Sequence, residues 1–162
     1  MSMEMFKYRE EPTPTDVQAV ADILRDSGFF NPEEQEVGVS LVTERLEKGP
    51  SCEYFFQFLE QAGVVTAYTC FGPIPGTRSS YDLYWIAVAN HLRGHGLGKA
   101  ILEATEREIA ARGGTRVYIE TSSSDLYKPT RGFYVASGYR LEATLADYYA
   151  PGDGKLIYVK TL

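Results

Sequence analysis

Apolar and polar positions along the chain follow two different periods. Val17, Val20 and Leu24 recur at helical spacing behind the turn Pro12-Thr13-Pro14-Thr15, and Val39, Val42 and Leu46 do so behind Asn31-Pro32-Glu33-Glu34. Two helices are expected there. Thr15 is placed to cap the first, which starts at Asp16 and stops at Ser27-Gly28. The second has a cap at Asn31, proline in its first position and acids in its first turn, and Gly49-Pro50 ends it. A strand over 5–8 precedes both. The pattern then turns aromatic and β-branched. Residues 52–59 and 64–71, joined by Glu60-Gln61-Ala62-Gly63, read as an antiparallel hairpin. A loop over 72–80 leads to a third strand at 82–88. A helix over 96–112 carries Leu97, Ile101, Thr105 and Ile109 on one face and ends at Gly113-Gly114. A strand over 116–121, a serine loop, a short helix over 129–137 closed by Gly138, and strands over 139–149 and 155–162 complete the chain.

The order β-α-α-β-β-β-α-β-α-β-β predicts an α/β (α+β) fold. One mixed, mainly antiparallel sheet of about seven strands should carry about four helices. With 162 residues and no repeat, low-complexity tract or linker, a single domain over 1–162 is expected.

Composition narrows the function class. The chain is 44% hydrophobic and 23% charged, as a globular protein is. No apolar run approaches the roughly 20 residues of a membrane span. The start, MSMEMFKYREE, lacks a signal-peptide core, so a soluble cytoplasmic protein without membrane partners is expected. A formal charge of −6 argues against nucleic acid and suits a cationic substrate. Cys52 and Cys70 lie in strand-like runs and read as buried free thiols. His91 and His95 have no metal-ligand spacing, so no metal is expected. Trp85 reads as core.

Candidate chemistry centres on residues 85–98, WIAVANHLRGHGLG. An apolar strand runs into alternating glycines and then a helix start, a layout for holding phosphate on backbone N–H groups. A dinucleotide fingerprint fits Gly94 and Gly96 but meets Lys99 where its third glycine belongs. A P-loop fails because Arg93 replaces its first glycine and Ala100 replaces the hydroxyl that would hold Mg²⁺. The remaining pattern is Arg/Gln-x-x-Gly-x-Gly/Ala, matched by Arg93, Gly96 and Gly98.

Here the sequence resembles the GNAT superfamily of acetyl-CoA-dependent N-acetyltransferases. Val88 and the run Leu92-Arg93-Gly94-His95-Gly96-Leu97-Gly98-Lys99-Ala100 look like its central motif. Phe133-Tyr134-Val135-Ala136-Ser137-Gly138-Tyr139 looks like its Tyr-x-x-x-Gly-Phe segment, with Tyr139 in place of Phe. The element order agrees with that fold. The resemblance implies acetyl-CoA as cosubstrate. Arg93, Gly94, His95, Gly96, Leu97, Gly98 and Lys99 would hold the pyrophosphate, and Ile86, Ala87 and Val88 the pantetheine arm and thioester. Glycines let backbone N–H groups approach the ligand, and the helix contributes its positive end. Lys128 and Arg131 add basic charge nearby.

The reaction so implied is attack of an amine on the thioester. Lysine-like amines, of pKa about 10.4, are almost wholly protonated at neutral pH, so a base matters most for them. In the ribosomal-protein N-terminal alanine acetyltransferase branch, a Glu on the strand after the motif helix is the base. Glu120 holds that place, and Asp82 is its rival. Tyr134 holds the family's position for the acid that protonates the leaving thiolate, with Tyr127 a nearby competitor. Asp125 lies where that branch has a cofactor-binding Asn, across a segment longer than the branch has. Asp147-Tyr148-Tyr149 resembles that branch's substrate-side tail, which makes Tyr148 and Tyr149 acceptor candidates. The acceptor is expected to be a peptide N-terminus or small amine, chosen by the two N-terminal helices, the 72–80 loop and the last hairpin. A homodimer stays open. A non-catalytic acyl-CoA-binding module is the alternative, and the presence of both Glu120 and Tyr134 favours the enzyme.

Overall fold

In the computed structural model, which describes residues 6–162, the elements follow the expected order. They are β1 (Phe6–Arg9), α1 (Thr15–Ser27), α2 (Pro32–Lys48), β2 (Phe55–Gln61), β3 (Val64–Pro73) and β4 (Ser80–Val88). Then come α3 (Leu97–Ala111), β5 (Arg116–Ser122), α4 (Lys128–Ala136), β6 (Arg140–Ala150) and β7 (Asp153–Thr161). Met5, expected at the head of the first strand, lies outside the described residues. The strands form one seven-stranded sheet in the order β1-β2-β3-β4-β5-β7-β6. Only β4 and β5 pair in parallel.

Consecutive residues of β3 belong to opposite faces of this sheet. Tyr68 and Cys70 join Val20, Leu24 and Val42 of α1 and α2, together with Phe56 and Phe58. Ala67 joins Leu97 and Ile101 of α3, and Phe71 joins Leu102 and Ile109 with Tyr134 of α4. Both faces of β3 are therefore covered, and eight of its ten residues are buried.

Most boundaries fall within a few residues of expectation. Asn31 caps α2 in a reciprocal capping box with Glu34, with proline in the first turn. Gly28 ends α1 at φ 77°. The β2–β3 turn is Ala62-Gly63, both at positive φ, as a tight hairpin of matching twist requires. Thr15 does not cap α1, whose N-cap is Pro14 without a side-chain hydrogen bond. Asp16 takes that work instead. Its buried carboxylate accepts from the Thr13 backbone N–H at 2.6 Å and pairs with Arg9 at 2.7 Å, tying the helix to β1. Cys52 and Cys70 are buried and unpaired.

Candidate active site

The site arises where the parallel pair comes apart. β4 and β5 pair from Ser80↔Arg116 to Leu83↔Ile119, and no further. Directly beyond, the β3–β4 register slips: Phe71 faces Leu83 and Cys70 faces Trp85, so Tyr84 is left over. Such a bulge bends the strand that carries it. Here it turns the end of β4 away from β5. The V between them opens a cleft of about 1130 Å³, with Tyr84–Val88 on one wall and Glu120–Ser122 on the other. Residues 85–88 keep their ladder to β3 but have none toward β5, so the cleft side of β4 presents open backbone groups.

The glycine loop closes one end. Gly94 and Gly96 adopt φ values of 83° and 79°, where a side chain would be strained. Gly96 is the N-cap of α3 and offers no side-chain cap. The first intrahelical bond of α3 comes from the Ala100 N–H to the Gly96 carbonyl, at 3.1 Å. The N–H groups of Leu97, Gly98 and Lys99 therefore lie at an uncapped positive helix end that lines the cleft, a fit for a diphosphate.

The side chains of this loop divide by role. Leu97 is buried in the core and can offer a ligand only its backbone. Arg93 donates from Nη2 to the Ser27 carbonyl at 3.0 Å and lies 5.0 Å over the Phe29 ring, which fastens the loop to the end of α1. Lys99 is largely exposed, 4.0 Å from Glu103. His95 is exposed and stands outside the cleft wall. Arg131 donates to the carbonyls of Ser122 and Ser124 at 2.8 and 2.7 Å, so it braces the β5–α4 connection. Asp125 is exposed in the 3-10 turn before α4 and is not among the cleft-lining residues.

Tyr134 sits on α4 against the cleft, its ring packed between those of Phe133, Tyr139 and Tyr158. Burial pushes its phenol well above the ordinary value. Tyr127 also lines the cleft, but its hydroxyl donates to the Phe29 carbonyl at 3.0 Å. Burial lifts Tyr127 to about 12. Its hydroxyl is thus a strap across the cleft rim. Glu120 lies on the opposite wall and pairs with Lys155 of β7 at 2.7 Å. Asp82 is two residues below Tyr84 and outside the cleft wall. Burial, then the charge of Glu120, raises its carboxyl to about 6.

The 72–80 loop, expected near the acceptor, lies elsewhere. It leads into the start of β4, whereas the cleft is at the end of that strand. Ser79 there accepts from the Thr115 backbone N–H at 2.8 Å. Sequence reasoning missed the α1–α2 connection as a wall: Phe29, Phe30 and Asn31 line the cleft beside Glu34 from the first turn of α2, and Phe30 packs 5.0 Å from Trp85. Trp85 is half-buried, serving both the core and the wall. Tyr149 and Asp153 bring the last hairpin to the rim, while Tyr148 stacks edge-on against Tyr149.

A sheet split beside an uncapped helix start gives one cleft both an open strand edge and an anion-favouring end. The profile of the GNAT acetyltransferase family matches residues 17–139, and the chain belongs to that family. A GNAT-family protein from Desulfovibrio desulfuricans shares 40% identity, with 96% of this chain and 98% of that one covered and a TM-score of 0.95. The ribosomal-protein-S18-alanine N-acetyltransferase of Escherichia coli matches at 21% identity over 97% of this chain and 94% of that one, TM-score 0.77. The PaiA N-acetyltransferase of Thermoplasma acidophilum, solved in complex with coenzyme A, matches at 15% identity over the full length of both chains, TM-score 0.75. The last two share the fold. No curated protein matches the chain significantly. Among the described residues, no helix is long and apolar enough to cross a membrane.

Proposed function

We propose that this chain is an N-acetyltransferase that moves the acetyl group of acetyl-CoA onto a primary amine: a peptide N-terminus, an amino acid or a small amine. One observation carries the reading. The open edge of β4, the uncapped start of α3, Glu120 and Tyr134 all line one cleft. Acetyl-CoA supplies the thioester. The N–H groups of Leu97, Gly98 and Lys99 hold its diphosphate, and the open backbone of residues 86–88 hydrogen-bonds the pantetheine arm and polarises the carbonyl. Glu120, directly or through a water, takes the proton that the amine must lose. As the new C–N bond forms and the C–S bond breaks, Tyr134 gives its proton to the sulfur. A phenol suits this because it stays protonated at working pH and can donate to the sulfur as charge develops there; full transfer to a thiolate of pKa about 8.5 is uphill, and solvent restores the Tyr134 proton. Glu120 is preferred to Asp82 because it lines the cleft and Asp82 does not.

Free-thiol release from acetyl-CoA across a panel of amines tests the reading. Turnover on primary amines is expected. Tight acetyl-CoA binding without turnover on any of them would favour a binding module instead. Glu120→Gln should lower kcat/KM by about 10²–10⁴-fold and remove the acidic limb of its pH profile. An unchanged rate and profile would release Glu120 from the role of base.

A further inference from the structure

We infer that Lys155 is a positioning residue for the reaction, aiming the Glu120 carboxylate into the cleft from β7. The inference rests on the proposed role of Glu120 as base. Lys155 stands opposite Ser122 in the β5–β7 ladder, and its ammonium reaches back to Glu120 Oε2 at 2.7 Å. Exposure separates this pair from an ordinary surface ion pair. The Lys155 side chain is 12% exposed and that of Glu120 48%. The cation is fixed inside the wall, while the carboxylate keeps a free side toward the cleft. The ammonium also lies 4.4 Å over the Tyr148 ring.

The fold builds this seat through an irregularity. The β6–β7 register runs Leu145↔Lys155 and then Ala150↔Asp153, so residues 146–149 stand opposite Gly154 alone. Asp147 turns the bulge at φ 56°, and its carboxylate accepts from the Gly152 N–H at 2.7 Å. The bulge brings Tyr148 under the ammonium and Tyr149 to the cleft rim.

Glu120 needs such a partner because its other neighbours are anionic or unable to supply charge. Asp82 faces it from β4 and Tyr149 from β6, with Tyr148 reached through Lys155. Burial alone would lower the ammonium of Lys155, but the hydrogen bond and charge of Glu120 leave it raised. The lysine is therefore a permanent cation at working pH. Without it, the Glu120 carboxylate would face the like charge of Asp82 with no cation to fix its direction.

The test is Lys155→Met, which keeps an apolar stem on the Tyr148 ring, beside Lys155→Arg, which keeps the charge. In Lys155→Met the ¹³C resonance of the Glu120 carboxyl, assigned against Glu120→Gln, should shift as its ion pair is lost. At the same time kcat should fall about tenfold with acetyl-CoA affinity unchanged, as for a base less well aimed. Lys155→Arg should restore both, and melting curves of each variant control for folding. Equal losses in kcat and acetyl-CoA affinity, with an unmoved Glu120 resonance, would overturn the inference and leave Lys155 a packing residue. Should Glu120→Gln itself prove fully active, the base assignment fails and takes the catalytic meaning of Lys155 with it. The NMR shift on Lys155→Met would still report the pairing, so the two failures can be told apart.

Discussion

At the scale of single residues, twelve tyrosines compete for one catalytic role, and hydrogen bonding separates the two nearest candidates. The Tyr127 hydroxyl is committed to the Phe29 carbonyl, whereas Tyr134 packs its ring in the core with the cleft in front of it. Tyr134→Phe preserves that ring packing. It should therefore lower kcat by about 10²–10⁴-fold while acetyl-CoA affinity and melting temperature hold. Equal losses in kcat and affinity, read from initial rates and calorimetry, would return Tyr134 to packing. Asp82 makes a separate prediction, about stability. Its carboxyl is raised to about 6 in the folded protein, against about 3.9 in an unfolded chain. The folded state thus holds the proton more tightly. The contribution of Asp82 to stability is greatest below pH 4 and falls as pH rises to about 6. Asp82→Asn should raise the melting temperature above pH 6 and make little difference below pH 4. A gain independent of pH would show that the buried charge is not the cause.

At the scale of elements, two glycines at the start of α3 do different work. Gly96 holds φ 79° with no atom within 4 Å of an added Cβ, so its constraint is conformational. Gly98 lies inside the helix at ordinary φ, where a Cβ would make normal contacts of 3.5 Å with the Phe133 ring. Gly96→Ala should therefore destabilise the protein by about 1–2 kcal/mol. Gly98→Ala should leave it as stable or gain about 0.5–1 kcal/mol from helix propensity, while weakening coenzyme A binding by crowding the backbone approach. Thermal melts of both variants and isothermal titration with coenzyme A check the pair. Equal coenzyme A affinity for Gly98→Ala and the parent would mean that the ligand does not approach there. The run of glycines announced this helix start in the sequence. The bulge at Tyr84 had no such signal, because Tyr84-Trp85 is an unbroken piece of strand pattern and the extra residue shows only against the ladder of β3.

At the scale of the whole molecule, strand and helix order, the hairpin at Ala62-Gly63 and the Asn31 cap of α2 were all legible in sequence, because each depends on neighbours a few residues apart. So was the family, through the spacing of Arg93, Gly96 and Gly98. Other features depend on residues brought together across the fold. Arg93 looks like a free phosphate ligand in sequence and Arg131 like loose basic charge, yet both hold backbone carbonyls in place. Glu120 pairs with Lys155, which is 35 residues away and adjacent only through the β5–β7 register. The 72–80 loop was given to the acceptor and lies at the other end of β4, while Phe29 and Phe30 carry no motif and form a wall. The sequence by itself determined the elements, their order and the helix end that favours an anion, since local periodicity and glycine conformation decide these. The tertiary structure alone decided which side chains share the cleft, because the parting of β4 from β5 and the register of β7 are properties of the ladder.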